Sequence, residues 1–503
     1  MAGETEREKE QPKRDHEPPE GAETTGRWGR GRSAIEYTAT AKWTVLRKKE
    51  KPAAEIFSVA YVAGDGDSER PLTFVFNGGP GASSAYLHMG AVGPQRVHFP
   101  DDGTLPPMPP RLVENESSWL AFTDLVFVDP VGTGFSRVIE PERKDGEKKS
   151  EKPDDAPDPK EYFGYKRDLE SLCELMSRWL SENGRWGSPV FIAGESYGGY
   201  RVGRLARVLQ ESAGIGLNGA ILISPALEIA GLGPTDYDVA GWIDRVPTMA
   251  AAAVHHGRSR AFRKRTSLER VLREAEEFAT GDYTLLLTRG ASMPARERAR
   301  ILARLSDLVG LAPEIVERAD GRIPFLRFAR ELLRDERKVL GVYDATITAI
   351  DPFPDRDEFA WPDPTLSGIS PAYTTAVNRM LRSEIGVRTD REYTVLSYEV
   401  NTAWKHDSEH HAFALPPGAT DDFRYGMALN PHMKAFVTHG RYDLITPYFA
   451  SDRLRNLMRL DPQMADRLTV RHFDGGHMFY AWAESRRAFT DAIAGFVADA
   501  TAR

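Results

Sequence analysis

The chain has 503 residues, is 41% hydrophobic, carries a formal net charge of −8 and contains one cysteine. That length exceeds what one compact core takes, so a core domain with a cap is expected. The acidic balance argues against nonspecific nucleic-acid binding, and a single cysteine excludes a fold stapled by internal disulfides.

In chain order, residues 1–31 are rich in Glu, Lys, Arg and Pro, with Trp28 the only aromatic, and are expected to be a disordered tail. They lack the basic start and apolar run of a signal peptide. No run in the chain is long and apolar enough to span a membrane. The expectation is a cytoplasmic protein without a membrane partner. Residues 35–45 and 55–63 alternate and predict an antiparallel hairpin at a sheet edge. Short apolar runs predict core strands at 72–76, 125–128, 190–193 and 219–223. Residues 141–160 are almost entirely charged or Pro and predict an exposed loop. Leu169, Leu172, Met176 and Trp179 recur at helical spacing, which makes Cys173 a small core residue of that helix. From 231 to 402 the character changes. Arg- and Leu-rich helical runs appear at 267–279, 295–308 and 324–340, with a Pro-rich break at 351–364. The domain expectation is a tail (1–31), a first core part (32–230), an inserted cap (231–402) and a second core part (403–503). The cap arginines read as solvated helix faces.

The sequence Gly194-Glu195-Ser196-Tyr197-Gly198 contains a Gly-x-Ser-x-Gly pattern. An apolar run (189–193) enters it and a helical run (200–210) leaves it, the strand–turn–helix context of a nucleophile elbow. A serine hydroxyl needs a base, and the base needs an orienting acid. Residues 434–438 and 468–473 predict two more strands. Asp443 follows the first and His477 the second, both just past strand C-termini, where open α/β sheets place their sites. Asp443 would hold the His477 tautomer and His477 would take the Ser196 proton. Asp474 and Glu484 are rival acids. Asp474 is too near His477 in sequence to swing beneath the ring, and Glu484 falls on the final helix. After the strand at 72–76, Asn77-Gly78-Gly79-Pro80-Gly81 forms a loop able to aim N–H groups at a developing oxyanion. The donors expected are the N–H groups of Gly79 and Tyr197.

These residues carry a resemblance. Asn77 to Ser84, Asn115 to Trp119 with Asp124 to Ser136, Gly194 to Gly199, Gly440 to Pro447 and Gly476-His477-Met478 resemble, in order, the blocks of the serine carboxypeptidase family. The resemblance implies an α/β-hydrolase fold, a mostly parallel central sheet flanked by helices with a mainly helical inserted cap. It implies hydrolysis of C-terminal peptide bonds by a Ser196, His477, Asp443 triad through an acyl-enzyme. It also implies that Asn77, Gly78 and Glu195 hold the substrate's terminal carboxylate, with no metal or cofactor. Beside a bound carboxylate, Glu195 should have a raised pKa, since two acids share a proton when one is neutral.

Three departures from the family stand out. Ala91 occupies the place of a further carboxylate-facing Glu, Ala82 the place of a cysteine, and Met478-Phe479-Tyr480 lacks the usual proline. The Ala91 departure keeps open an esterase or acyltransferase on the same scaffold, whose substrate would be a small ester rather than a peptide. A catalytically silent binding protein is the other alternative. Oligomeric state is left open. The stretch His406-Asp407-Ser408-Glu409-His410-His411 lacks the His-Glu-x-x-His spacing of a zinc protease. Gly132-x-Gly134 is too short for a dinucleotide fingerprint.

Overall fold

A computed structural model describes residues 16–31, 34–64, 66–139, 159–356, 363–405 and 418–502. A ten-stranded sheet organises them. Its strands in chain order are β1 (Ala22–Trp28), β2 (Ile35–Lys48), β3 (Lys51–Ala63), β4 (Leu72–Phe76) and β5 (Asp124–Asp129). They continue with β6 (Arg137–Val138), β7 (Val190–Glu195), β8 (Gly219–Ile223), β9 (Lys434–Thr438) and β10 (Leu468–Val470). Across the sheet the order is β1-β2-β3-β5-β4-β7-β8-β9-β10, with β6 paired to β3. The strands from β1 to β5 along that order pair antiparallel. From β5 onward every pairing is parallel. The sheet is therefore mixed, and its parallel half carries the candidate site.

The parallel strands read as unbroken apolar runs because both faces are covered. β4, β5, β7 and β8 are buried at every residue. One face packs Leu172, Met176, Ile192 and Leu205 together, the other Phe127, Phe191, Ile221 and Phe489. Cys173 lies in the helix Tyr165–Glu182 as expected, and burial pushes its thiol up to about 12, so it is inert at neutral pH.

The fold corrects two expectations at the start of the chain. Ala22–Trp28, expected within a disordered tail, is a strand that pairs with β2 from Ala22↔Ala41 to Trp28↔Ile35. Pairing satisfies its backbone, and the Trp28 indole donates to the Asn115 carbonyl at 2.8 Å. The β2–β3 hairpin consequently lies one strand in from the edge. The expected loop at 141–160 falls outside the described residues up to 158, as does the stretch 406–411.

Between β8 and β9 the chain leaves the sheet. Helices Leu268–Phe278 and Ala295–Val309 form as the sequence predicts. The run 324–340 does not stay helical. The helix Phe325–Glu331 ends there, Arg337 takes a left-handed φ of 55°, and Lys338–Leu340 pairs with Thr348–Ile350 as a small antiparallel ribbon. Residues from Trp242 to Ala345 bury a hydrophobic cluster of their own, joined by Tyr442, Leu444, Tyr448 and Phe449. Helix Ser370–Arg379, also within 231–402, instead buries Ala372, Tyr373, Ala376 and Val377 in the core cluster of the sheet.

Candidate active site

β7 ends at Glu195, and the helix Tyr197–Glu211 begins one residue after Ser196. Ser196 sits between them at φ 60° and ψ −121°, a conformation that costs a non-glycine residue energy. Packing enforces it. The Ser196 N–H donates to the Ile223 carbonyl at 2.9 Å, and its carbonyl accepts from Gly199 and Ala226 at 2.9 and 3.1 Å. The flanking glycines are required by close approach. A Cβ at Gly194 would lie 2.1 Å from the Gly198 carbonyl oxygen, and one at Gly198 2.7 Å from that of Phe76. Ser196 is the half-buried tip of an otherwise buried turn.

Asp443 and His477 come together as expected. Both are buried, and His477 Nδ1 lies 2.6 Å from Asp443 Oδ2. That contact places the Nδ1 proton on the aspartate side and leaves Nε2 as the acceptor. Burial lowers the His477 pKa, but the Asp443 charge and hydrogen bond, with the charge of Glu195, outweigh it, and the net shift is upward. The rival acids do not compete. Asp474 pairs with Arg441 at 2.8 Å, and Glu484 lies in the first turn of the last helix, Ala483–Thr501.

Asp443 is held by more than His477. Oδ1 accepts from the N–H groups of Ile445 and Thr446 at 2.8 and 3.0 Å. The Thr446 hydroxyl has one proton and two acceptors in reach, Asp443 Oδ2 at 2.6 Å and the Ser224 carbonyl at 3.0 Å, while the protonated His477 Nδ1 lies 3.0 Å away. The shortest contact, to a charged oxygen, takes the proton. Ser224 follows β8, and its hydroxyl donates to the His477 carbonyl at 2.8 Å. Sequence reasoning missed Thr446 and Ser224, because neither stands in the pattern that marks the acid and the base.

The loop after β4 closes on the elbow. A Cβ at Gly78 would lie 2.5 Å from the Tyr197 nitrogen and 2.9 Å from Ser196 Cβ, so only glycine permits this approach. Gly79 is exposed at φ 100°. Arg201, buried on the helix after Ser196, donates to the Asn77 carbonyl at 2.8 Å and is itself held by Asp168 at 2.7 and 3.1 Å. From the far side, Asn401 donates to the Pro80 carbonyl at 3.0 Å, and Trp404 packs edge-on against Tyr197.

Asn77 and Glu195 meet directly. The Asn77 amide donates to Glu195 Oε2 at 2.5 Å, and Asn77 Oδ1 accepts from the Leu87 N–H at 2.9 Å. Burial drives the Glu195 pKa up to about 7, although His477, Tyr480 and Asn77 pull it down. A carboxyl that is neutral near pH 7 can donate a hydrogen bond to an arriving anion.

The chain between β8 and β9 supports the base and the acid together. The Tyr343 carbonyl accepts from the His477 N–H at 2.5 Å, and the Tyr343 ring meets the His477 ring edge-on. Asp344 Oδ2 accepts from Gly476 N–H at 2.9 Å and from the Trp482 indole at 3.1 Å. Val342 and Ala345 bond to Leu444 and Tyr442 of the Asp443 loop at 3.1 and 3.0 Å. A cleft opens beside His477, lined by Phe99, Leu105, Tyr343, Ile369, Tyr373 and Met478 among others.

The fold and this elbow define an α/β-hydrolase. Within that class, the resemblance to serine carboxypeptidases is borne out: residues 39–233 match that family's model. Serine carboxypeptidase-like 36 of Arabidopsis thaliana is 31% identical over 163 residues, 31% of this chain and 28% of that protein. Pheromone-processing carboxypeptidase KEX1 of Saccharomyces cerevisiae is 34% identical over 137 residues, 27% of this chain and 16% of that protein. The matched stretches thus span less than a third of either relative. The solved structure of the yeast prohormone-processing carboxypeptidase Kex1 superposes with a TM-score of 0.55 at 16% identity, covering 92% of each chain.

Proposed function

We propose that the protein is a serine carboxypeptidase acting on peptides with a free C-terminus. The observation that carries this reading is the Asn77–Glu195 pair, whose Glu195 directly precedes the elbow serine, in a chain that also pairs His477 with Asp443. In this reading Ser196 attacks the last peptide carbonyl and His477 takes its proton, which then passes to the leaving amino acid. Asp443 holds His477 in its tautomer, and the N–H groups of Gly79 and Tyr197 stabilise the oxyanion. Water, activated by His477, releases the acyl group. Asn77, Gly78 and Glu195 receive the terminal carboxylate, with the neutral Glu195 sharing its proton. The cleft beside His477 takes the side chain of the last residue. The helical residues between β8 and β9 act as a cap domain that walls the cleft and braces both catalytic loops.

Blocked dipeptides with free and amidated C-termini, assayed from acidic to neutral pH, test the reading. Free-carboxylate substrates are expected to be strongly preferred. Equal cleavage of amidated peptides, or turnover of simple esters alone, would favour the esterase alternative. Ser196→Ala is expected to lower kcat by about 10⁴-fold or more and to abolish labelling by a fluorophosphonate. Wild-type protein that is folded yet unlabelled would sink the enzyme reading.

A further inference from the structure

Beside the Asn77–Glu195 bond, two buried oxygens make no hydrogen bond of ordinary geometry. Glu195 Oε2 is taken by Asn77, but Glu195 Oε1 has no hydrogen bond of ordinary geometry, and neither does the Tyr480 hydroxyl. Tyr480 is fully buried, and its hydroxyl faces the Glu195 carboxyl. Each group acts on the other's proton, so an anion that reaches the Glu195 carboxyl also reaches the Tyr480 hydroxyl. Ala91 is buried and offers a methyl, and Gly90 leaves room that the Tyr373 hydroxyl and the Tyr480 ring fill, a Cβ at Gly90 lying 2.5 and 2.8 Å from them. Tyr373 also lines the cleft beside His477, and the Glu195 charge acts on its hydroxyl.

We propose that Tyr480 is a carboxylate-binding residue, its hydroxyl donating to the C-terminal carboxylate that Glu195 also receives. The proposal rests on the carboxypeptidase reading and deepens it. Glu195 donates its proton to one carboxylate oxygen, and Tyr480 donates to the other. The two donors differ in pH behaviour. Glu195 loses its proton near neutrality, and its carboxylate then repels the substrate. Burial holds the Tyr480 proton well beyond the ordinary phenol range, with the Glu195 charge adding to this. The phenol keeps donating after Glu195 has ionised.

The test is Tyr480→Phe in the full chain, assayed on a blocked dipeptide with a free C-terminus and on a small acyl ester lacking a carboxylate. KM for the peptide is expected to rise about tenfold or more, the scale of a lost hydrogen bond to a charged group. Its kcat and the ester kinetics should stay within about threefold, a change too small to mark a lost hydrogen bond. An unchanged peptide KM, or an equal loss on peptide and ester, overturns the proposal. Should the variant fail to label with fluorophosphonate, the wild-type pH profile decides. With a phenol donor, the peptide KM rises above pH 7 and then levels off. A KM that keeps rising about tenfold per pH unit up to pH 9 overturns it. A wild-type protein that labels but cleaves no free-carboxylate peptide overturns the carboxypeptidase reading and this proposal together, before any variant is made.

Discussion

At the scale of single residues, the site divides into groups that a motif names and groups that only the fold brings in. The Asp443–His477 pair was legible because each follows a strand in an order that the chemistry requires, and the Ser196 turn because its glycines mark it. Thr446 was not legible, because a threonine three residues past an aspartate has no meaning until its hydroxyl is found 2.6 Å from that carboxylate. Its removal isolates its role. Thr446→Val deprives Asp443 of a donor, so more of its charge falls on His477, which is better stabilised in its protonated form. We expect kcat to fall about tenfold, as for a lost hydrogen bond to a charged group. KM should hold, and the acid limb of the kcat profile should move to higher pH. A smaller kcat with an unmoved limb would mark Thr446 as packing only. Gly134 was weighed as part of a dinucleotide fingerprint, and its reason is local. It holds φ 53°, and a Cβ there would lie 1.9 Å from Asp129 Oδ2. Gly134→Ala should therefore destabilise the fold by about 2–4 kcal/mol, a shift read from chemical denaturation. A loss under about 0.5 kcal/mol, the level of an ordinary surface change, would show that the loop yields.

At the scale of elements, buried parallel strands were legible almost to the residue, since burial on both faces leaves an unbroken apolar run. β1 was not. Its pattern alternates between half-buried and exposed, its sequence is Ala-Glu-Thr-Thr-Gly-Arg-Trp, and its order comes from pairing with β2 rather than from apolar content. The segment that braces the two catalytic loops was equally silent. Residues 342–345 act through backbone groups and one aspartate, and backbone bonds leave no trace in side-chain periodicity. Asp344 ties that segment to Gly476, immediately before His477. Burial raises its carboxyl to about 6, so its hold on the loop weakens in acid. Asp344→Ala should slow fluorophosphonate labelling by about tenfold while Asp443 and His477 stay intact, the size expected for a base held slightly out of line. A labelling rate equal to wild type would show that Tyr343 alone fixes the loop.

At the scale of the whole molecule, two titrations meet in one pocket. In the proposed mechanism His477 must be neutral to act, and its pKa lies above the ordinary value of 6.5, so kcat is expected to rise as pH climbs through a value above 6.5. Glu195 must be protonated to meet an anion, and its pKa is about 7, so the KM of free-carboxylate peptides rises once pH passes 7. The expected kcat/KM profile for peptides rises to a maximum and then falls to a lower plateau, and for esters that lack a carboxylate it is a rising limb with a plateau. A peptide KM that stays flat between pH 6 and 9 would remove Glu195 from substrate binding. The same raised pKa bears on folding. An acid whose folded pKa exceeds the unfolded one contributes stability below its unfolded value of 4.5 and loses it as pH rises toward 7.

The strands β8 and β9 are neighbours in the sheet but distant in the chain. Ser196 and its glycine loop belong to the part synthesised first, and Asp443 and His477 to the part synthesised last. In the proposed mechanism, a growing chain therefore carries Ser196 without its base until the insertion has been made and the last strands have docked. Under the proposed mechanism, the partly made protein is unable to attack peptides around it. In a refolding experiment, reactivity toward fluorophosphonate should appear after the fluorescence change of core formation, as the final event rather than an early one.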